Sequence, residues 1–143
     1  MYCQSWEPPE TPKLAVDAVI YDFYRNGFII IERQYSPYGF ALPGGFVDIG
    51  ETTEEAIIRE VKEETNLDCE IKNLIGVYSE PNRDPRYHII SVAYNLDIID
   101  GELKAKDDAK SVRAIHTNEL LSGISDKMIN DHFKILKDGM KIW

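Results

Sequence analysis

Cysteine is scarce in this sequence: Cys3 and Cys69 are the only two in 143 residues, and neither belongs to a CxxC or Cys/His spacing. A disulfide framework and a zinc centre are therefore not expected, and a reducing compartment is. Long apolar runs are missing too, and residues 1–13 (MYCQSWEPPETPK) have no basic stretch followed by an apolar one. Neither a bilayer span nor a secretory leader is expected, so the chain reads as a cytoplasmic protein with no membrane partner. Basic side chains are outnumbered, 16 against 25 acidic ones, for a formal charge of −9. That imbalance repels phosphate backbones and anionic surfaces, so no nucleic-acid partner is expected. Internal repeats and low-complexity tracts are also lacking.

What is present suffices for one domain with a core of its own. The proline-rich opening predicts an irregular N-terminal arm over residues 1–13, followed by a single domain over 14–143. An acidic protein can still handle an anionic substrate when bound cations reverse the local field, which makes a metal partner worth seeking.

Leu14 to Tyr21 and Phe28 to Gln34 are rich in β-branched and aromatic residues, with Asn26-Gly27 between them, and predict a β-hairpin. The run Phe40 to Val47 mixes strand formers with Pro43, Gly44 and Gly45, predicting a short strand, a tight bend and another short strand. Backbone near Gly45 can there approach a ligand closely. Thr52 to Asn66 predicts a helix: Thr52 and Glu55 suit a capping box, and Asn66 suits the left-handed residue that ends a helix. Ile57, Ile58, Val61 and Thr65 form its expected buried stripe, with Glu60, Glu63 and Glu64 together on another face. Further strands are expected near Cys69 to Tyr78, His88 to Leu96 and Val112 to Ile115, and a helix near Asp126 to Lys137. Mixed strands with few helices predict an α/β sandwich.

The segment GFVDIGETTEEAIIREVKEETNL, Gly45 to Leu67, resembles the Nudix box. Gly45, Glu51, Arg59, Glu60, Val61, Glu63, Glu64 and Leu67 fall in that pattern's register, and only Asn66 departs, standing where the family usually has glycine. The resemblance implies a Nudix-type α/β/α sandwich with a mixed sheet and a catalytic loop-helix-loop. The residues support its chemistry independently. Carboxylates at i, i+3 and i+4 repel one another on one helical face, and a hard, oxygen-preferring cation such as Mg²⁺ or Mn²⁺ relieves that repulsion. Such an ion neutralises a diphosphate and activates a water. Glu60, Glu63 and Glu64 are thus the expected metal ligands, and the resemblance adds the backbone carbonyl near Gly45. Arg59 is expected to orient the carboxylates through Glu51 and Glu63, while the proton acceptor is left open among Glu63, Glu64, Asp107 and Asp108.

Beyond the box, ALPGGFVDIGE, YSEPNRDPRYH (Tyr78 to His88) and KDDA (Lys106 to Ala109) resemble the ADP-ribose pyrophosphatase branch of the family. Those enzymes carry a proline about fifteen residues past the box, and Pro81 stands fourteen past Leu67. The resemblance implies hydrolysis of a diphosphate in a nucleoside diphosphate derivative, ADP-ribose giving AMP and ribose 5-phosphate. It also makes a homodimer plausible. Arg83, Arg86 and Arg33 are the candidate substrate ligands, because planar guanidinium groups match phosphate and ribose oxygens. Two other readings stand beside this one: a pyrophosphohydrolase of nucleoside triphosphates or dinucleoside polyphosphates, and a non-catalytic nucleotide sensor. His88 and His116 are expected to be structural and His132 to lie on a helix surface. Tyr21, Phe23, Tyr35, Tyr38, Phe40 and Phe46 are expected near the site, with none singled out to stack on a base.

Overall fold

The computed structural model describes residues 5–105 and 109–143. Strand β1 (Lys13–Asp22) organises it, because the sequence KLAVDAVIYD is largely apolar on both faces and suits a sheet covered on both sides. Strand β6 (Ile89–Asp100) runs parallel to β1 from Lys13↔Ile89 to Ile20↔Leu96, and β5 (Asp68–Tyr78) pairs antiparallel with β6. Strand β2 (Gly27–Arg33) follows a turn in which Asn26 takes a φ of 54°. It pairs with β1 only at Tyr21↔Phe28 and Asp22↔Gly27, then diverges to pair with β3 (Phe40–Ala41) and β7 (Ala109–Ile115). Into the opening of that splayed hairpin comes β4 (Gly44–Phe46), antiparallel to β1 from Ala15↔Phe46 to Asp17↔Gly44.

Helix α1 (Thr53–Thr65) covers one face of the sheet and α3 (His132–Lys141) the other, giving the expected α/β/α sandwich with a mixed sheet. Alternation along β1 divides the core. Val16, Ala18 and Ile20 pack with Ile57 and Val61 of α1, whereas Val19 packs with Ile135 and Leu136 of α3. Each fully buried aliphatic side chain of this kind contributes about 1.5–3 kcal/mol. By the same parity Asp17 is sent, alone among charged groups of this strand's buried stretch, into the α3 side.

Helix α1 has the caps its sequence implies. Thr52 Oγ1 accepts from Glu55 N, the Glu55 carboxylate accepts from Thr52 N, and Asn66 ends the helix at φ 66°. Asn66 Nδ2 also donates to Glu102 O at 2.8 Å. Asn66→Gly is therefore expected to be nearly neutral, since relief of the positive φ offsets the lost bond, while Asn66→Val should destabilise by about 1 kcal/mol or more. Thermal melts ranking valine at or above glycine would contradict this account of the helix end.

The C-terminal segment differs from expectation. Helix α2 (Thr117–Leu121) and a 3-10 turn (Ile124–Lys127) precede α3, which begins only at His132. Gly123 at φ 115° and Asn130 at φ 50° interrupt any continuous helix. Met128 and Ile129 are buried as the apolar pattern requires, but in extended backbone that bridges to Phe40, with Ile129 N donating to Phe40 O at 2.8 Å. Among the described residues no helix is long and apolar enough to cross a membrane.

Candidate active site

Where β4 enters the splayed hairpin, a cavity of about 420 Å³ opens between the sheet, α1 and the segments leading into α3. That size suits a small-molecule ligand. Its lining includes Asp17 of β1, Gly44 and Gly45 of β4, and Glu60, Glu63 and Glu64 of α1. Arg33, Arg83 and Arg86 contribute cationic groups to the same wall, and Asn130 and His132, at the entry to α3, close it.

The three glutamates do not share one environment, as a common solvent face would require. Glu64 is buried, because the turn of α1 that carries it passes under β4, and its Oε1 accepts from Gly44 N at 2.8 Å. Burial pushes its carboxyl up to about 8, with the nearby Glu60 and Asp17 charges adding to the rise. Glu60 is pushed up to about 7, again mainly by burial. Glu63 is the most exposed of the three. A Cβ at Gly45 would lie 2.5 Å from the Glu60 carboxylate carbon, so glycine is what lets this carboxylate lie against β4.

Arg59 knits the cluster together. Its Nε and Nη2 donate to Glu51 at 3.0 and 2.6 Å, its Nη1 to Glu60 at 3.0 Å and Glu63 at 3.2 Å, and Nη2 also to Phe46 O. The Glu51 partnership holds that carboxyl down to about 2. Among the described residues no three acidic, His or Cys side chains already converge as a cation cage. The reason is local: Arg59 Nη1 lies between Glu60 and Glu63, while Glu64 is turned to Gly44. The donors nevertheless fit a hard cation. Two desolvated carboxylates with raised proton affinity need positive charge, oxygen is the donor such ions prefer, and Nη1 marks where that charge now comes from.

A pH dependence follows. A carboxyl whose folded pKa is raised stabilises the fold below its unfolded value, 4.5, and that contribution is lost as pH climbs through about 7 and 8. The metal-free melting temperature is therefore expected to fall between about pH 5 and 9, and saturating Mg²⁺ to reduce the fall. Melts with and without the ion at each pH check this; a Mg²⁺ effect equal at both ends would contradict it.

Other expected residues are placed less uniformly. The Arg83 side chain, 4% exposed, is bound to Asp131 at 2.6 and 2.9 Å and to Ile89 O, so it braces the loop after β5. Arg86 pairs with buried Asp84 at 2.8 and 3.0 Å but leaves 41% of its side chain exposed. Arg33 Nε donates to Pro37 O at 2.8 Å, holding the turn after β2. Asp107 and Asp108 lie outside the described residues. His132, expected on a helix surface, is instead buried against the cavity, because α3 begins with it instead of running through it. Of the aromatics, Tyr35 and Phe46 line the cavity, whereas Tyr21 and Phe23 pack on Trp143 at 4.9 and 6.2 Å. Strand β1 carries Tyr21, and Phe23 just beyond its end, past its pairing with β4 to the far end of the sheet, which is why proximity in sequence misled. Asp17, Asp84, Asn130 and Asp131 were not anticipated. Asp17 alone had a sequence signal, as the one acid inside an apolar strand.

Residues 11–138 match the family model described as the NUDIX domain. The chain belongs to the Nudix family. The Nudix box residues Gly45 to Leu67 occupy β4, the bend that follows, α1 and its capped end. An ADP-ribose pyrophosphatase of Methanocaldococcus jannaschii is 50% identical over 132 residues, covering 91% of this chain and 74% of that protein. A bifunctional NMN adenylyltransferase/ADP ribose pyrophosphatase of Francisella tularensis, complexed with AMP and a manganese ion, is similar with a TM-score of 0.83 and 29% identity. The similarity covers 95% of this Nudix chain and 43% of that one. A MutT/nudix family protein of Enterococcus faecalis has a TM-score of 0.78 at 27% identity, covering 97% of this chain and 64% of its own.

Proposed function

We propose that this chain hydrolyses the diphosphate of ADP-ribose to AMP and ribose 5-phosphate, with Mg²⁺ or Mn²⁺ held by Glu60, Glu63, Glu64 and the backbone carbonyl at Gly45. The carrying observation is one cavity that gathers desolvated carboxylates able to hold a cation and the Arg33 and Arg86 guanidinium groups able to meet anionic oxygens. The name of the half-identical archaeal relative supports the choice of substrate. When bound, the ion supplies Lewis acidity toward the diphosphate and lowers the pKa of the attacking water. The rest falls to the chain. Arg59 keeps Glu51, Glu60 and Glu63 in register, and Gly44 N–H fixes Glu64. A carboxylate, Glu63 or Glu64 of α1 or else Asp107 or Asp108, takes the proton of the water. A new phosphorus–oxygen bond forms, and the bridging oxygen leaves with its electron pair on the other phosphate.

Cation and carboxylates meet the diphosphate that all candidate nucleotides share, so selectivity has to come from elsewhere. Arg86 is the best placed group, since its partner Asp84 is buried and its own guanidinium is partly exposed at the cavity. Arg86→Ala is expected to lower kcat/KM for ADP-ribose more than for ATP or a diadenosine polyphosphate, by about 1–3 kcal/mol in the ratio. Wild type and variant are compared on all three nucleotides with Mg²⁺ and with products identified. An equal loss on each makes Arg86 a general phosphate ligand, and no cleavage of ADP-ribose by wild type overturns the substrate assignment.

A further inference from the structure

Three consecutive residues at the entry to α3 hold two different parts of the cavity wall. Asn130 sits at φ 50° and its Nδ2 donates to Asp84 Oδ2 at 3.1 Å. Asp131 accepts two bonds from Arg83, 2.6 and 2.9 Å long. Both contacts fix the loop that bears Arg86. His132 turns the other way: its Nδ1 accepts from Leu42 N at 2.9 Å. A backbone N–H can only donate, so the neutral ring carries its proton on Nε2, which lies 3.6 Å from Asp17 Oδ1. Asp17 is held in turn by Ser91 Oγ at 2.5 Å. Leu42 opens the bend that ends in Gly44, whose N–H holds Glu64. One tripeptide thus touches the substrate side and the cation side of the cavity through separate bonds.

We propose that Asn130, Asp131 and His132 form a positioning clip with divided roles: Asn130 and Asp131 set the loop that selects the nucleotide, and His132 sets the Leu42–Gly44 bend that shapes the cation site. This inference rests on the hydrolase reading of the cavity. None of the three is assigned a bond to substrate or cation; each acts through Asp84, Arg83 or Leu42. A purely stabilising tripeptide would affect both sides together in proportion to lost stability, whereas a clip lets the two be perturbed separately.

The test compares His132→Asn, His132→Gln and Asp131→Asn in the full chain. The asparagine oxygen reaches the place of Nδ1 and can accept from Leu42 N, whereas glutamine reaches the place of Nε2 and cannot. Mn²⁺ binding is titrated by electron paramagnetic resonance without nucleotide, melting temperatures are recorded, and kcat and KM are measured on ADP-ribose and ATP. His132→Gln is expected to weaken Mn²⁺ binding about tenfold and lower kcat with the ratio of KM values kept, and His132→Asn to recover most of the affinity. Asp131→Asn should leave Mn²⁺ affinity within about twofold while changing the ratio of KM values by about fivefold or more. Equal Mn²⁺ affinity in His132→Asn and His132→Gln overturns the His132 role. Parallel changes in both readouts that track melting temperature overturn the division. If wild type binds Mn²⁺ but cleaves no nucleotide, the hydrolase reading fails, and the Mn²⁺ titrations still decide the His132 arm.

Discussion

Glu64→Gln is expected to lower turnover by roughly 10²–10⁴, the range found when a group that takes a proton or stabilises transition-state charge is removed. The substitution changes little volume, and the amide oxygen of glutamine can still accept from Gly44 N–H, so the bend keeps its tie to α1. What is lost is a negative charge in a desolvated place. The same argument fixes the sign of the stability change. Burial raises the Glu64 carboxyl to about 8, so above that pH the metal-free protein holds a costly buried charge, which glutamine abolishes. The metal-free variant should therefore melt above wild type at about pH 9 and gain less from added Mg²⁺. Melts and initial rates on the same preparations check both halves. Near wild-type turnover would remove α1 from the chemistry, and a lower melting temperature at high pH would mean that Glu64 is not the strained charge its burial implies.

Gly44→Ala and Gly45→Ala are adjacent one-methyl changes with opposite expected consequences. At Gly44 the new Cβ would lie 2.1 Å from Val16 O and 3.0 Å from Asp17 Cα, atoms of the strand with which β4 pairs. Backbone cannot yield there without separating β4 from β1. Overpacking of this kind costs about 3 kcal/mol, so the melting temperature should drop by roughly 6–12 °C. At Gly45 the nearest atoms to the new Cβ would be those of the Glu60 carboxylate, at 2.5 Å, and that end of a flexible side chain can swing aside. Stability should then change by less than about 1 kcal/mol, while Mg²⁺-dependent activity falls about tenfold or more if Glu60 is the cation ligand proposed above. Thermal melts paired with activity on ADP-ribose separate the two. If Gly45→Ala melts as low as Gly44→Ala, Glu60 is fixed more rigidly than its contacts indicate. If it keeps full activity, Glu60 does not need its place against β4.

Much of this protein is written locally. The hairpin, the strand–bend–strand over Phe40 to Val47 and the capped helix to Asn66 depend on residues a few positions apart, through alternation, turn chemistry and capping. Spacing within α1 likewise brings Arg59, Glu60, Glu63 and Glu64 together without any tertiary contact. Local pattern failed where the partner is distant. That Glu64 is buried and Glu63 only half-buried depends on β4 crossing one side of α1, and the apolar residues Met128 and Ile129 serve an extended bridge to Phe40 as well as they would serve a helix. Arg83 is indistinguishable in sequence from Arg86, yet Asp131, 48 positions away, buries and neutralises one and leaves the other at the cavity. The pairing of His132 with Leu42, across 90 positions, is of the same kind. Sequence by itself determined the family, the helix and its acidic cluster, because those are set by near neighbours. The tertiary structure decided which charges are desolvated and which arginine can face a ligand, because burial is a property of everything that packs around a residue.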